Sequence, residues 1–131
     1  MPGWQWIHTP GHTPGHASLW RASDRCLIAG DALITTKQES AYAVVTQAPE
    51  LHGPPACFTQ DWTAAHSSVE SLAALQPDTV LTGHGRPMQG AAVRTALHEL
   101  ARNFDIVAVP DRGTYVDRPA TAKDGTAYDG P

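Results

Sequence analysis

The residues most able to do chemistry stand in one short stretch, HTPGHTPGH over residues 8–16. Its three histidines recur at four-residue spacing. Imidazole is the commonest metal-ligand side chain, so this cluster favours metal binding over ordinary surface histidines in a turn. Two prolines at the same spacing disfavour a helix, because proline lacks a backbone N–H and fixes φ. The stretch therefore indicates a turn-rich loop between two strands, and not a helical pair of zinc-binding histidines.

Two later positions repeat the pattern of a potential ligand placed beside glycine after a strand. Asp31 follows the apolar run at 26–29, and His84 follows the β-branched and apolar run at 79–82. Residues beyond the carboxyl ends of neighbouring strands project into a common crevice in α/β sheets. Imidazole suits zinc, and a carboxylate can ligate one ion or bridge two. Together with His12, these residues form a candidate metal site.

The elements that must position these residues alternate between strand and helix, which predicts an α/β layer. Predicted strands cover residues 4–7, 17–21, 26–29 and 79–82. Asp61 is a plausible N-cap for a helix that ends before Pro77, and a second helix is expected from about residue 91 to 104. On the first helix we expect His66 to be partly buried at the rim. On the second, His98 and Glu99 should face solvent.

Two segments lack periodicity. Residues 33–60 form a long loop whose aromatic and apolar residues favour an ordered lid over a linker. His52 and Tyr42 in this loop could contact a substrate, although solvent-facing positions are the simpler interpretation. The segment from 106 to 131 begins apolar and becomes polar, so we expect a tail that packs weakly or only against a partner surface.

Composition limits the classes of protein to consider. At 131 residues the chain supports one domain, and its net charge of −4 comes without any basic stripe, which argues against a nucleic-acid partner. No apolar run approaches the roughly 20 residues of a membrane span, and the N-terminus has no secretory pattern. Cys26 and Cys57 are far apart in sequence and form no C-x-x-C motif. We therefore expect a soluble, cytoplasmic domain.

Three segments, PGHTPGH at 10–16, LIAGDAL at 27–33 and LTGHGRP at 81–87, resemble the metallo-β-lactamase-fold hydrolases. They occur in the same order over roughly the first two-thirds of the chain. The segments at 50–55 and 61–62, together with the tail, resemble the proteobacterial metallo-hydrolase branch of that superfamily.

The resemblance implies an α/β fold that is the C-terminal half of a metallo-β-lactamase αββα sandwich, a mixed sheet with about two helices on one face. This half would span residues 1–109, followed by a polar C-terminal tail at 110–131. By the same resemblance His12 is a ligand of the first zinc, Asp31 bridges both zincs, and His84 is a ligand of the second.

The remaining histidines of the loop have no ligand counterpart in the family pattern. His16 is expected to hydrogen-bond within the loop or to orient a ligand from behind. His8 lies on the strand side and is expected to be structural.

The sequence departs from the family pattern in its ligand count. The family's His-x-His-x-Asp-His motif is missing, since the histidines stand at positions 8, 12, 16, 52, 66, 84 and 98. Each zinc would receive two ligands from this chain, whereas a catalytic zinc takes three plus water. A complete site would hold up to two Zn²⁺, and binding by this chain alone is expected to be weak or absent. Met1 is then expected to be an internal start, and the catalytic base stays unassigned.

The resemblance therefore implies a zinc-dependent hydrolase, in which metal-bound hydroxide attacks an ester, thioester, lactone or similar bond of an unidentified small molecule. The chain alone is expected to be inactive. Two alternatives are a non-catalytic half-domain that binds a partner or dimerises, and one subunit of a two-chain enzyme. A half-sandwich exposes an apolar sheet face, so we expect self-association or pairing with the missing N-terminal half.

Overall fold

The structure is a computed structural model that describes residues 1–36, 50–120, 123 and 125–126. Tyr42 and the central part of the predicted lid lie outside these residues. Five strands form one sheet in the order of the chain. They are β1 (Gln5–His8), β2 (Ala17–Arg21), β3 (Cys26–Gly30), β4 (Thr79–Thr82) and β5 (Met88–Gln89). The sheet is mixed, because β3 and β4 are parallel and the other neighbours are antiparallel.

One face of the sheet carries the core. Trp20 pairs with Leu27, and Leu27 pairs with Val80, so one row of apolar side chains crosses three strands. All three are buried and belong to the main hydrophobic cluster. Alternate residues of a strand point to opposite faces, and this pattern assigns the two faces of the sheet.

The opposite face also carries an apolar row, which we call the open-face row and define as Trp6, Leu19, Ile28 and Leu81. These residues are cross-strand neighbours in the register of β1 to β4. Trp6 is 75% exposed, and the other three are half-buried. The sheet thus carries an apolar row on each face, and the helices within the described ranges cover only one of the two faces.

Three helices pack on the core face: α1 (Trp62–Ala74), α2 (Ala91–Arg102) and α3 (Phe104–Val107). The predicted cap of α1 is confirmed, since the Asp61 carboxylate accepts a 2.9 Å hydrogen bond from the Ala64 N–H. The second helix is shorter than predicted, because Asn103 leaves helical geometry. The mixed sheet with helices on one face confirms the α/β prediction.

The described parts of the long loop and the tail pack against the body of the domain. Ile34 and His52 form an antiparallel bridge, and Thr35 bridges to Gly85. In the tail, the Ala120 N–H donates to the Gln60 carbonyl at 2.8 Å, and Ala120 is buried. Ala120 therefore packs on the chain's own surface, whereas most residues from 111 to 119 are exposed, and the expectation of weak packing for the tail as a whole stays a prediction.

No helix among the residues described has both the length and the apolar character needed to cross a membrane.

Candidate metal centre

The three predicted ligands emerge at one edge of the sheet. β1 and β3 are both antiparallel to β2, so they run in the same direction, and β4 is parallel to β3. The carboxyl ends of these three strands therefore share an edge. His12 lies in the loop after β1, Asp31 directly follows β3, and His84 is two residues beyond β4.

The histidine loop is closed at its base and seated on helix α1. The Thr9 N–H donates to the His16 carbonyl at 2.9 Å, which extends the β1–β2 ladder. Gly11 has φ +137, and a Cβ there would lie 2.4 Å from the Ala65 Cα. Only glycine, which has no Cβ, can lie this close to the α1 backbone at position 11. The Gly11 carbonyl in turn accepts N–H groups from residues 60 and 61 at 3.0 and 2.9 Å.

The backbone at the end of β3 directs Asp31, the next residue, away from the line of the strand. The β3–β4 register shifts between Ile28 and Gly30, and Gly30 adopts φ +57. The carboxylate then lies against Gly83, where an added Cβ would be 2.1 Å from Asp31 Oδ1. The glycine that precedes His84 thus provides the space that the carboxylate occupies.

The carboxylate of Asp31 lies between the two histidines. His12 Nε2 is 3.6 Å from Asp31 Oδ2, and His84 Nε2 is 3.5 Å from Asp31 Oδ1. The His12 side chain is 14% exposed and the His84 side chain is 47% exposed. The structure thus brings all three predicted residues together, with one carboxylate oxygen facing each ring.

Burial lowers the pKa of His12, and the nearby His16 and His84 lower it further, against the opposing effect of Asp31. The neutral imidazole is the form that ligates metals. A lowered pKa therefore keeps His12 competent as a ligand at neutral pH.

The other two histidines of the loop have supporting positions. His16 Nε2 accepts the backbone N–H of Asp31 at 3.1 Å, so this ring stands behind the central carboxylate. His8 Nε2–H donates to the Pro14 carbonyl at 2.8 Å and stays within the loop. Both positions agree with the roles expected from the sequence.

The three remaining histidines, His52, His66 and His98, contact groups away from the candidate metal centre. His52 Nε2 lies 3.3 Å from Glu50 Oε2. His66 is half-buried as predicted, donates to the Ala101 carbonyl at 2.8 Å, and stacks on Phe104. His98 is exposed as predicted and bonds the Gln76 side chain.

Within the described parts of the chain, no group of three or more His, Cys, Asp or Glu side chains could hold a metal ion. The geometry consists of two His–Asp pairs that share one carboxylate. This arrangement agrees with the count of two ligands per metal position.

The described residues form an α/β domain with a mixed sheet, helices on one face, and two imidazoles that flank an aspartate at the strand ends. The family profile described as "Metallo-beta-lactamase superfamily" matches residues 1–84, and the chain belongs to that superfamily.

Several known proteins are similar to the chain over much of its length. It is 53% identical over 104 residues to the probable metallo-hydrolase YflN of Bacillus subtilis (strain 168), a match that covers 79% of this chain. The crystal structure of a metallo-beta-lactamase family protein from Thermus thermophilus matches with a TM-score of 0.51 at 25% identity, over 78% of this chain. The chemotaxis sensor ODP, solved as a peroxy diiron species, shares the fold with a TM-score of 0.52 at 15% identity, over 81% of this chain and 45% of that chain.

The chain spans only part of these proteins. The match covers 39% of YflN and 30% of the Thermus thermophilus chain.

Proposed function

We propose that this chain contributes His12, Asp31 and His84 to the zinc centre of a hydrolase acting on an ester, thioester, lactone or similar bond. The chain's own ligands would be joined by others from another segment or polypeptide. The superfamily membership and the metallo-hydrolase relative support the reaction class.

The observation that carries the proposal is the pair of distances at Asp31. N–H···O hydrogen bonds have lengths of roughly 2.7–3.2 Å, and the observed 3.6 and 3.5 Å separations are longer. Two atoms bound to one zinc at about 2.0–2.2 Å in tetrahedral geometry lie about 3.4 Å apart. Each His–Asp pair is thus spaced like two ligands of a shared ion.

A second observation concerns hydrogen bonding. Asp31 Oδ1 is buried and has no hydrogen-bond partner in the described part of the chain. Buried polar atoms are nearly always paired, so an orphaned carboxylate oxygen at a cluster of imidazoles fits a metal ligand. The donor set of imidazole and carboxylate is one that zinc accepts.

The chain's residues would perform two tasks in this centre. Asp31 would hold a position facing each histidine, and the lowered pKa of His12 keeps its ring free of a proton that would repel a cation. Zinc bound there would polarise a substrate oxygen and lower the pKa of a water ligand.

Metal content tests this proposal. The unmutated chain and the His84→Ala variant would be dialysed to equilibrium against excess zinc, so that weakly bound metal is retained, and the zinc bound above the dialysis buffer would be determined by elemental analysis. We expect zinc in the unmutated chain and a loss in the variant. His98→Ala removes an exposed histidine bonded to Gln76 and serves as the matched control. Equal zinc in all three proteins would contradict the assignment.

We propose further that the open-face row is the surface on which the polypeptide with the remaining ligands packs. An apolar row across four strands, with no helix over it among the described residues, is a surface that monomeric proteins rarely leave to solvent. The incomplete ligand set at the adjoining sheet edge favours the same partner. In its absence, the chain should associate with itself through this row.

Sedimentation velocity tests the use of this surface. We expect the unmutated chain to form oligomers and the double variant Trp6→Gln, Ile28→Thr to shift toward monomer. Ile106→Thr is the control, because Ile106 is 84% exposed but lies in α3 on the other side of the sheet. A monodisperse unmutated monomer with a cooperative unfolding transition would contradict self-association.

A further inference from the structure

A continuous series of hydrogen bonds lies behind Asp31 and is not explained by metal ligation itself. His16 Nδ1 is 2.9 Å from Thr9 Oγ1, and Thr9 Oγ1 is 2.9 Å from Ser18 Oγ. Ser18 Oγ donates to the Ala29 carbonyl at 3.1 Å. At the other end, His16 Nε2 accepts the Asp31 N–H at 3.1 Å. We call this hydrogen-bonded series, in the order His16, Thr9 and Ser18, the relay.

The donor and the acceptor of every hydrogen bond in the relay follow from the two backbone groups at its ends, the Asp31 N–H and the Ala29 carbonyl. A backbone N–H can only donate, so His16 Nε2 must be the unprotonated nitrogen. The ring proton of neutral His16 then stands on Nδ1, which faces both the hydroxyl and the carbonyl oxygen of Thr9. The Thr9 hydroxyl is left to donate to Ser18, and Ser18 donates to Ala29. Each polar group has a partner, and only one tautomer of His16 allows this arrangement.

The relay is buried and would be costly to leave incomplete. Thr9 and Ser18 are each 1% exposed. Removing one member of a buried network leaves the next donor or acceptor unpaired, at a cost of about 1–3 kcal/mol. Such groups persist in a core when they fix a specific arrangement.

Both ends of the relay attach to the same short segment at the end of β3. Ala29 provides the carbonyl and Asp31 provides the N–H, and between them Gly30 makes the φ +57 turn. A Cβ on Gly30 would lie 2.9 Å from His16 Nε2. The imidazole is thus packed directly on the turn that directs Asp31 out of the strand.

We propose that His16, supported by Thr9 and Ser18, is a positioning residue that fixes the β3 turn and thereby the placement of the Asp31 carboxylate. The inference rests on the proposed function in that it treats Asp31 as the shared ligand. His16 itself contributes no atom to the metal.

The tautomer of His16 can be measured on the metal-free, unmutated chain. Long-range ¹H–¹⁵N correlation spectra of the histidine rings distinguish a proton on Nδ1 from one on Nε2. We expect the Nδ1–H form for neutral His16 and a slowly exchanging Asp31 amide proton. A neutral His16 ring with its proton on Nε2 would overturn the proposal without reference to any metal.

Three variants separate positioning from general structural damage. His16→Leu removes the acceptor, His16→Gln places an amide oxygen near the position of Nε2, and His8→Leu removes a histidine of the same loop that does not touch Asp31. Zinc affinity would be measured by competition with a chelator. We expect His16→Leu to bind about 10- to 100-fold more weakly, the range typical of residues that orient ligands, with His16→Gln and His8→Leu close to the unmutated chain.

The outcomes distinguish this inference from the proposed function. Fast exchange of the Asp31 amide in His16→Leu, with rescue in His16→Gln, supports the relay. Equal zinc affinity in His16→Leu and His8→Leu contradicts it. If no protein binds zinc while the tautomer and the Asp31 amide behave as expected, the proposed function fails and the relay's hold on the turn is supported.

Discussion

The two sides of Asp31 are built differently. On the inner side, His12 is mostly buried in a loop that lies directly on α1, with Gly11 against Ala65. On the outer side, the His84 ring is nearly half exposed, although its backbone carbonyl accepts hydrogen bonds from Thr35 and Thr82. The inner position is held by packing on α1 together with backbone hydrogen bonds, whereas the outer position is held by backbone and threonine hydroxyl hydrogen bonds to the His84 carbonyl. We infer that the inner position is formed in advance, whereas the outer ring depends on a further contact to complete it.

Gly11→Ala should disturb the inner side most. Its Cβ would collide with the backbone of Ala65, and φ +137 is unfavourable for alanine. Overpacking and backbone strain together predict a loss of about 2–4 kcal/mol in the free energy of unfolding. Gly15→Ala is the control, because a Cβ at Gly15 meets no atom within 4 Å. Chemical denaturation measures both, and equal stability of the two variants would show that the loop is not seated on α1.

Gly83→Ala should act on both sides by displacing the shared carboxylate. The added methyl group would meet Asp31 Oδ1, a side-chain atom that can move, so we expect a cost of about 1–3 kcal/mol. Zinc affinity should fall as well, since the carboxylate is displaced from both histidines. Chelator competition checks the affinity. Unchanged zinc affinity in Gly83→Ala would mean that zinc binding does not depend on the place that the Asp31 carboxylate occupies beside Gly83.

The two histidines should differ in their effect on the stability of the metal-free chain. We expect His12→Ala to destabilise by about 0.5–3 kcal/mol because its ring is packed, and His84→Ala to change stability by less than about 0.5 kcal/mol. Denaturant unfolding of both variants provides the measurement. The reverse order would contradict the distinction between an inner and an outer side.

A smaller effect is expected on the pH dependence of stability. Because the folded state lowers the pKa of His12 below the ordinary 6.5, the unfolded chain binds this proton more readily. The stability that follows from the lowered pKa of His12 is fully present above pH 6.5 and is lost as the pH falls toward the pKa of His12 in the folded state. The metal-free chain therefore loses stability on acidification. The dependence should be shallower in His12→Gln. An identical pH profile would show that His12 is not buried in the native state.

The residues that converge at the site could be predicted from the sequence, because each stands beside glycine after a recognisable strand. The positions of β2 and β4 also follow from their apolar and β-branched residues. The contact of Gly11 with Ala65 could not be predicted, since it depends on how α1 packs against a loop far away in sequence. The same holds for Gly83, whose role depends on the register shift at the end of β3.

Some local details of the fold could not be predicted from the sequence. β5 has only two residues, too few for a periodic signal. The break at Asn103 leaves the apolar stripe of α2 intact, so periodicity alone continued the helix to residue 104. For His16, the sequence suggested either a bond within the loop or support of a ligand. In the structure one ring nitrogen faces Thr9 within the loop and the other accepts the Asp31 N–H, a geometry that fits either role.

The central claim is that Asp31 is the carboxylate shared by two metal positions, and a zinc-soaked crystal examined at the zinc absorption edge tests it most directly. We predict anomalous density between Asp31 Oδ2 and His12 Nε2, with a second, weaker peak between Asp31 Oδ1 and His84 Nε2. Asp31→Asn crystals should lose both peaks. Zinc bound at His52, His66 or His98 with none at Asp31, or peaks that survive in Asp31→Asn, would contradict the account.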